Sequence, residues 1–225
     1  MNEVTICPIA HIESDFPEKF GIPRQAGIVE ELRARVVFEE PFRNPEALRG
    51  IEGFSHLWLI WQFSENVRAD FSPTVRPPRL GGNTRLGVFA TRSPFRPNAL
   101  GLSCVRLLGL EKTEDKGTAL LVAGADLMDG TPIFDIKPYL PYADCRPEAT
   151  GGFAPDAPEK LKVVFPAAAL ETIPPDKHAA LRGVLENDPR PRYHSDPERL
   201  YAMSFAGLTV RFRVKDGTLR VESVE

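Results

Sequence analysis

Apolar positions fall in short runs rich in β-branched and aromatic residues, each closed by turn formers. Val4–Ile9, Ala34–Phe38, Leu57–Phe63, Leu86–Ala90, Leu102–Leu110, Ala119–Ala123 and Leu161–Phe165 have this texture and predict strands. Gly50, Gly53, Gly81-Gly82, Asp115-Lys116-Gly117 and Asp129-Gly130 supply the turns between them. Helical patterns are sparse. Asn44–Leu48 predicts one short helix with Asn44 as its cap and Pro45 in its first turn, and Pro175–Leu185 predicts a longer one. Many strands with few crossover helices predict an antiparallel sheet or barrel rather than a parallel doubly wound sheet.

The texture changes between residues 141 and 158, where Pro141, Pro147, Pro155, Pro158 and Gly151-Gly152 predict a linker or a long irregular loop. Beyond it, Val210–Val214 and Leu219–Val224 alternate on either side of Lys215-Asp216-Gly217-Thr218, a hairpin with an Asp-Gly turn. The expected organisation is a β-barrel domain over 1–145, a linker over 146–159 and a small α+β domain over 160–225.

With 225 residues, 42% of them hydrophobic, the chain has enough apolar surface for a real core. Its formal net charge of −3 excludes a basic nucleic-acid coat, so any anion contact must be local. Cys7, Cys104 and Cys145 lie too far apart for a disulfide framework or a metal knuckle, and the four histidines show no ligand spacing. The start, Met1 to Ile6, lacks the features of a secretion signal. Leu57–Trp61 is far short of the roughly 20 residues of a membrane span. These features predict a cytoplasmic protein with reduced thiols, no metal and no membrane contact.

Four segments hold candidate chemistry. Arg76 to Asn98 carries five arginines and no acid, interleaved with prolines and glycines. Planar guanidinium forks on a shaped loop suit phosphates and bases, so this is a pocket wall or an RNA surface, unless the arginines pair with acids elsewhere. Ala125 to Asp144 places Asp126, Asp129 and Asp135 around an Asp-Gly-Thr-Pro turn. They suit hydroxyl binding or proton transfer, or serve the turn alone. Gly21–Gly27 reads as a loop, and Gly53–Asn66 as a buried strand with a polar end in which Trp58 and Trp61 are core residues. No Gly-x-Gly-x-x-Gly follows a strand, and Walker, Gly-x-Ser-x-Gly and Cys-x-x-Cys motifs are missing.

Seven stretches occur in order: Pro23-Arg24-Gln25, Gly53-Phe54-Ser55-His56-Leu57-Trp58, Arg76-Pro77-Pro78-Arg79-Leu80-Gly81-Gly82-Asn83, Gly87-Val88-Phe89-Ala90-Thr91-Arg92-Ser93, Phe95-Arg96-Pro97-Asn98, Asp129-Gly130-Thr131-Pro132 and Asp135-Ile136-Lys137-Pro138-Tyr139-Leu140-Pro141. Together they closely resemble the TsaA-like, or TrmO, family of tRNA methyltransferases. Asp188-Pro189-Arg190-Pro191 followed by Tyr193 resembles the tail of its bacterial members. The resemblance implies a compact antiparallel β-barrel that binds S-adenosyl-L-methionine without a Rossmann site. It implies a homodimer and N6-methylation of threonylcarbamoyladenosine beside the anticodon, mainly in threonine tRNA. Carried over position by position, it puts cofactor contacts on Pro23, Arg24, Gln25, Ser64, Glu65, Arg92, Leu102 and Asp126 through Asp129, that is Asp126, Leu127, Met128 and Asp129. Ser64 departs from a histidine frequent in relatives, which leaves a backbone contact there.

The acceptor nitrogen is urea-like and must lose its proton, so a nearby acceptor is expected, with Asp135, Asp129 and Tyr142 as candidates. Arg92 or Arg96 is expected to pair with a carboxylate or phosphate. The distal cations Arg190, Arg192, Arg211, Arg213 and Lys215 are expected to grip the tRNA stem, so a chain ending near Asp156 should keep cofactor binding. Two other classes predict different behaviour: a non-catalytic RNA-binding protein would bind tRNA without cofactor, and a small-molecule methyltransferase would ignore RNA.

Overall fold

The structure, a computed structural model, describes residues 3–67, 70–191 and 196–225. Its strands are β1 (Ala10–Glu13), β2 (Arg33–Phe38), β3 (His56–Gln62), β4 (Thr74–Val75), β5 (Leu86–Gly87), β6 (Leu100–Thr113), β7 (Gly117–Ala123), β8 (Pro132–Pro138), β9 (Lys162–Val164), β10 (Tyr201–Phe205), β11 (Leu208–Lys215) and β12 (Thr218–Val224). The α-helices are α1 (Pro141–Asp144), α2 (Ala167–Thr172) and α3 (His178–Glu186).

Six strands pair in the ring β1-β2-β7-β6-β3-β8, and β8 returns to β1, with every pairing antiparallel. Alternation in the sequence drives closure. Along β3, Leu57, Leu59 and Trp61 point inward and are buried, while His56, Trp58 and Ile60 face outward. Ala10, Ile12, Val36, Val105, Leu120, Val122 and Ile133 complete the filling from the other strands. Each large aliphatic side chain buried there contributes about 1.5–3 kcal/mol. Register shifts at Ile60/Trp61 and Leu107/Gly109 bend the long strands enough to close the ring.

A second sheet, β10-β11-β12-β9, lies under α2 and α3. Helix α3 buries Ala180, Leu181, Val184 and Leu185, a stripe at helical spacing. The hairpin turn between β11 and β12 places Asp216 and Gly217 at φ 48° and 71°, the left-handed pair that an Asp-Gly turn favours.

The two cores are joined by the excursion between β1 and β2. Phe16, Val29 and Leu32 are buried in the core of the second sheet, not in the barrel. The Asp15 carbonyl accepts from the Ala206 amide at 2.8 Å, and the Asp15 carboxylate holds Lys177 Nζ at 2.7 and 2.8 Å. The ring of Phe20 stacks with Tyr201 and Phe212. The C-terminal unit therefore braces residues 14–32.

The structure corrects several expected elements. The first strand begins at Ala10, and Val4–Ile9 lies before it, with Val4 and Ile6 exposed. Leu86–Ala90 splits into a two-residue strand and a 3-10 turn. Strand β8 runs through what reads as a turn region, and β10 has no counterpart in the expected set. The Asn44-capped helix is a 3-10 turn in which Asn44 Oδ1 accepts from the Glu46 amide at 3.0 Å. Among the described residues no helix is long and apolar enough to cross a membrane, and no cluster of His, Cys, Asp and Glu could hold a metal.

Candidate functional site

Where β3 ends and β6 begins, the barrel rim meets three loops: residues 22–26 of the braced excursion, the turn after β3, and the Arg-rich segment. They enclose a cavity of about 620 Å³, within the range typical of cofactor sites. Of the positions named from the resemblance, Pro23, Arg24, Gln25, Ser64, Glu65, Arg92, Leu102, Asp126 and Met128 line it together. Residues separated by up to a hundred positions thus meet because the barrel returns each strand to the same rim.

Others do not meet there. Leu127 is buried in the barrel core. The Asp129 carboxylate accepts from the Ser14 amide at 2.9 Å and fixes the turn instead of facing the cavity. Asp135 lies on β8, where its carboxylate pairs with Lys137 and accepts from the Ile136 amide. Tyr142 is 84% exposed at the start of α1. Among the described residues the carboxylates lining the cavity are Asp126 and Glu65, and the expected proton acceptors Asp129, Asp135 and Tyr142 do not line it.

Asp126 sits at the end of a buried hydrogen-bond chain that no motif along the chain signals. Trp61 Nε1 donates to Ser103 Oγ at 2.9 Å, and Ser103 Oγ donates to Asp126 Oδ1 at 2.5 Å. An indole only donates, so the serine oxygen must accept from it and turn its own proton to the carboxylate. Burial pushes the Asp126 carboxyl above the usual carboxylate range. The Ser103 hydroxyl, the amides of Asp126 and Ala26 and the charge of Arg92 pull it back. Gly101 makes the chain possible. It pairs with Trp61 across β3 and β6, and a Cβ there would lie 2.3 Å from the indole ring. Trp61 is a core residue, as its sequence context suggests, and its ring also walls the cavity.

The cationic side is equally tied down. The Arg92 guanidinium bonds Gln25 Oε1, and Arg24 donates to the Arg190 carbonyl at 2.9 Å. Arg190 in turn forms a two-pronged pair with Asp188, so the Asp188–Pro191 tail motif holds a cavity loop. Tyr193 of that motif and Arg192 lie outside the described residues. Arg96 donates to the Thr91 carbonyl at 2.7 Å and shapes its own loop. Arg211, Arg213 and Lys215 pair with Glu225, Glu222 and Glu198.

A second, larger groove of about 1340 Å³ opens beside the cavity and shares Arg24, Gln25, Arg92 and Arg96 with it. Its floor carries Arg76, Arg79, Arg85, Phe71, Phe89 and Phe95. Its far wall is the irregular stretch after α1, tied in by Arg79, which donates to the Asp156 carbonyl.

The donor set suits S-adenosylmethionine. Two carboxylates, three guanidiniums and aromatic walls face one cavity, matching a ligand with an amino-acid zwitterion, a sulfonium cation and a flat base.

Comparison with known proteins agrees. Residues 11–145 match the tRNA-methyltransferase O N-terminal domain and residues 158–225 the TrmO C-terminal domain. The chain is 42% identical over 227 residues to a tRNA (adenine(37)-N6)-methyltransferase of Escherichia coli, covering 96% of each. It is 40% identical to a putative S-adenosylmethionine-dependent methyltransferase of Pseudomonas aeruginosa, covering 92% of this chain and 91% of that one. A crystal structure of TrmO from Pseudomonas aeruginosa superposes with a TM-score of 0.81 at 33% identity, covering all of both chains.

Proposed function

The chain belongs to the tRNA-methyltransferase O family, and from that premise we propose that it methylates N6 of the adenine at position 37 of tRNA with S-adenosylmethionine as donor. The observation that carries the reading is the pairing of the two clefts: a cofactor-sized cavity with both signs of charge opens directly into an Arg- and Phe-lined groove. When bound, the cofactor supplies an activated methyl on a positive sulfur. Asp126 and Glu65 offset the positive charge, Arg24 and Arg92 hold the carboxylate, and Trp58, Trp61 and Leu102 exclude water around the transferred group. Holding donor and acceptor in line can supply about 7–11 kcal/mol of the barrier reduction. A carboxylate in the cavity takes the proton that the acceptor nitrogen loses. Asp126 suits that task, because burial raises its affinity for a proton.

The finer reading follows from the resemblance. The acceptor is N6-threonylcarbamoyladenosine, the preferred substrate threonine tRNA, the working unit a homodimer and the location the cytoplasm. The 1–145 barrel carries the chemistry, 146–159 links, and the 160–225 unit braces the cavity. The test combines purified protein, S-adenosylmethionine and threonine tRNA with or without the threonylcarbamoyl group, read by nucleoside mass spectrometry. Methyl gain on the modified tRNA alone is expected. Methyl gain on neither would overturn the function, and gain on both would overturn the finer substrate.

A further inference from the structure

Among the Arg-rich groove's side chains that do not line the cavity, Phe89 is the most exposed large apolar one. Val88 is 1% exposed and anchors a 3-10 turn by its buried side chain, yet the next residue, Phe89, is 74% exposed. The turn is not loose. The Val88 amide donates to the Pro73 carbonyl at 2.9 Å, Thr91 Oγ1 donates to the Val88 carbonyl at 2.8 Å, and Arg96 donates to the Thr91 carbonyl. A large apolar ring is therefore held in solvent by a fixed backbone, with the Arg96 guanidinium carbon 6.0 Å from its centroid. Leaving such a ring exposed forgoes its burial energy, which a binding role explains.

We propose that Phe89 is a stacking platform for an unpaired nucleotide adjoining the target adenine, with that nucleotide's phosphate on Arg76. The inference rests on the methyltransferase reading above and names what fills the groove beside the cavity. Three features select single-stranded RNA as the occupant. The lining contains Arg76, Arg79, Arg85 and Arg92 against the acids Asp70 and Asp156, so its charge complements phosphates. An apolar protein surface would desolvate those guanidiniums without supplying the anion that offsets their charge. At about 1340 Å³ the groove is large for a single small metabolite. Splayed nucleotides supply both a π-face for the ring and an anion for the fork. Because the groove shares Arg24, Gln25 and Arg92 with the cavity, a base stacked on Phe89 and an adenine in the cavity belong to neighbouring positions of one loop.

The test measures binding of a fluorescent anticodon stem-loop RNA by anisotropy at several salt concentrations. Phe89→Ala should weaken binding about 5- to 150-fold with the salt slope unchanged, and Phe89→Tyr should restore it. Arg76→Ala should flatten the slope by about 0.7. S-adenosylhomocysteine affinity and the sedimentation coefficient of Phe89→Ala should equal those of the wild type. Wild-type RNA affinity in Phe89→Ala would overturn the proposal. So would a changed salt slope, or altered self-association, which would give the ring to a second copy of the chain. Failure of the wild-type protein to methylate any tRNA is a separate result, which removes the function while leaving the RNA measurement readable.

Discussion

Ser103→Ala is the sharpest probe of the chain that ends at Asp126. The substitution deletes one oxygen at a site only 3% exposed and strands two groups at once. Among the described residues the Trp61 indole N–H has Ser103 Oγ as its acceptor and no other, and an unpaired buried donor costs about 1–3 kcal/mol. Asp126 loses a hydrogen bond to a charged acceptor, but it faces the cavity, where water replaces part of the loss. A total of about 2–3 kcal/mol follows. In a chain of this size that lowers Tm by roughly 4–12 °C. The pH dependence carries a sign. Asp126 has a raised folded pKa, so the native state keeps this proton longer than the unfolded chain, and stability falls as pH rises from the ordinary carboxylate value through the folded one. Ser103 favours the ionised form, so its loss moves the upper end of that window higher. The gap between mutant and wild type should be smallest in acid, where only the indole is stranded, and should widen towards neutral pH. Urea unfolding followed by tryptophan fluorescence across that range measures it. A gap under about 0.5 kcal/mol, or one independent of pH, would refute the chain as a functional support for Asp126.

Other expectations are more direct. Gly101→Ala forces a methyl against the Trp61 ring and should cost about 1–3 kcal/mol, with shifted tryptophan emission and weaker S-adenosylhomocysteine binding by calorimetry. Arg92→Ala should lower cofactor affinity roughly 10- to 150-fold at a Tm changed by less than about 1 °C, because the residue is exposed. A chain ending at Asp156 exposes Phe16, Val29 and Leu32, a loss of roughly 5–9 kcal/mol against a typical total of about 5–15. It should be insoluble or fail to bind S-adenosylhomocysteine by calorimetry, contrary to the expectation that the barrel alone retains its cofactor.

Much of the barrel was legible because alternation is a strong signal where one face is buried. Strand β3 and the first half of β6 follow it, as does the β11–β12 hairpin with its Asp-Gly turn, whereas β2 and β7 show as short apolar runs that bury consecutive residues. Strand β1 was hidden because Val4–Ile9 is more apolar than Ala10-His11-Ile12-Glu13, and only ring closure decides which segment pairs. Strand β8 was hidden by its terminal prolines and by Asp135 and Lys137, which pair with each other on the outer face. At the site, motif resemblance named Arg24, Gln25, Glu65, Arg92 and Asp126, which line one cavity. It gave no direction for side chains, and Asp129, Asp135 and Tyr142 lie outside the lining of that cavity. Ser103 and Gly101 carry no signal of their own. Their importance arises from facing Trp61 across a strand pair.

The excursion of residues 14–32 means that the two halves of this chain share one thermodynamic account. Its Pro23–Gln25 tip touches the methyl donor's chamber while its Phe16 and Val29 are interior to the distal sheet. A ligand that tightens the tip should therefore slow hydrogen exchange in β10 and β11, which lie in the last quarter of the chain. Linkage is reciprocal, so a nucleic acid that loads the distal sheet changes donor affinity by the same factor. The tail domain acts less as an appendage than as the tensioner of the chamber's wall.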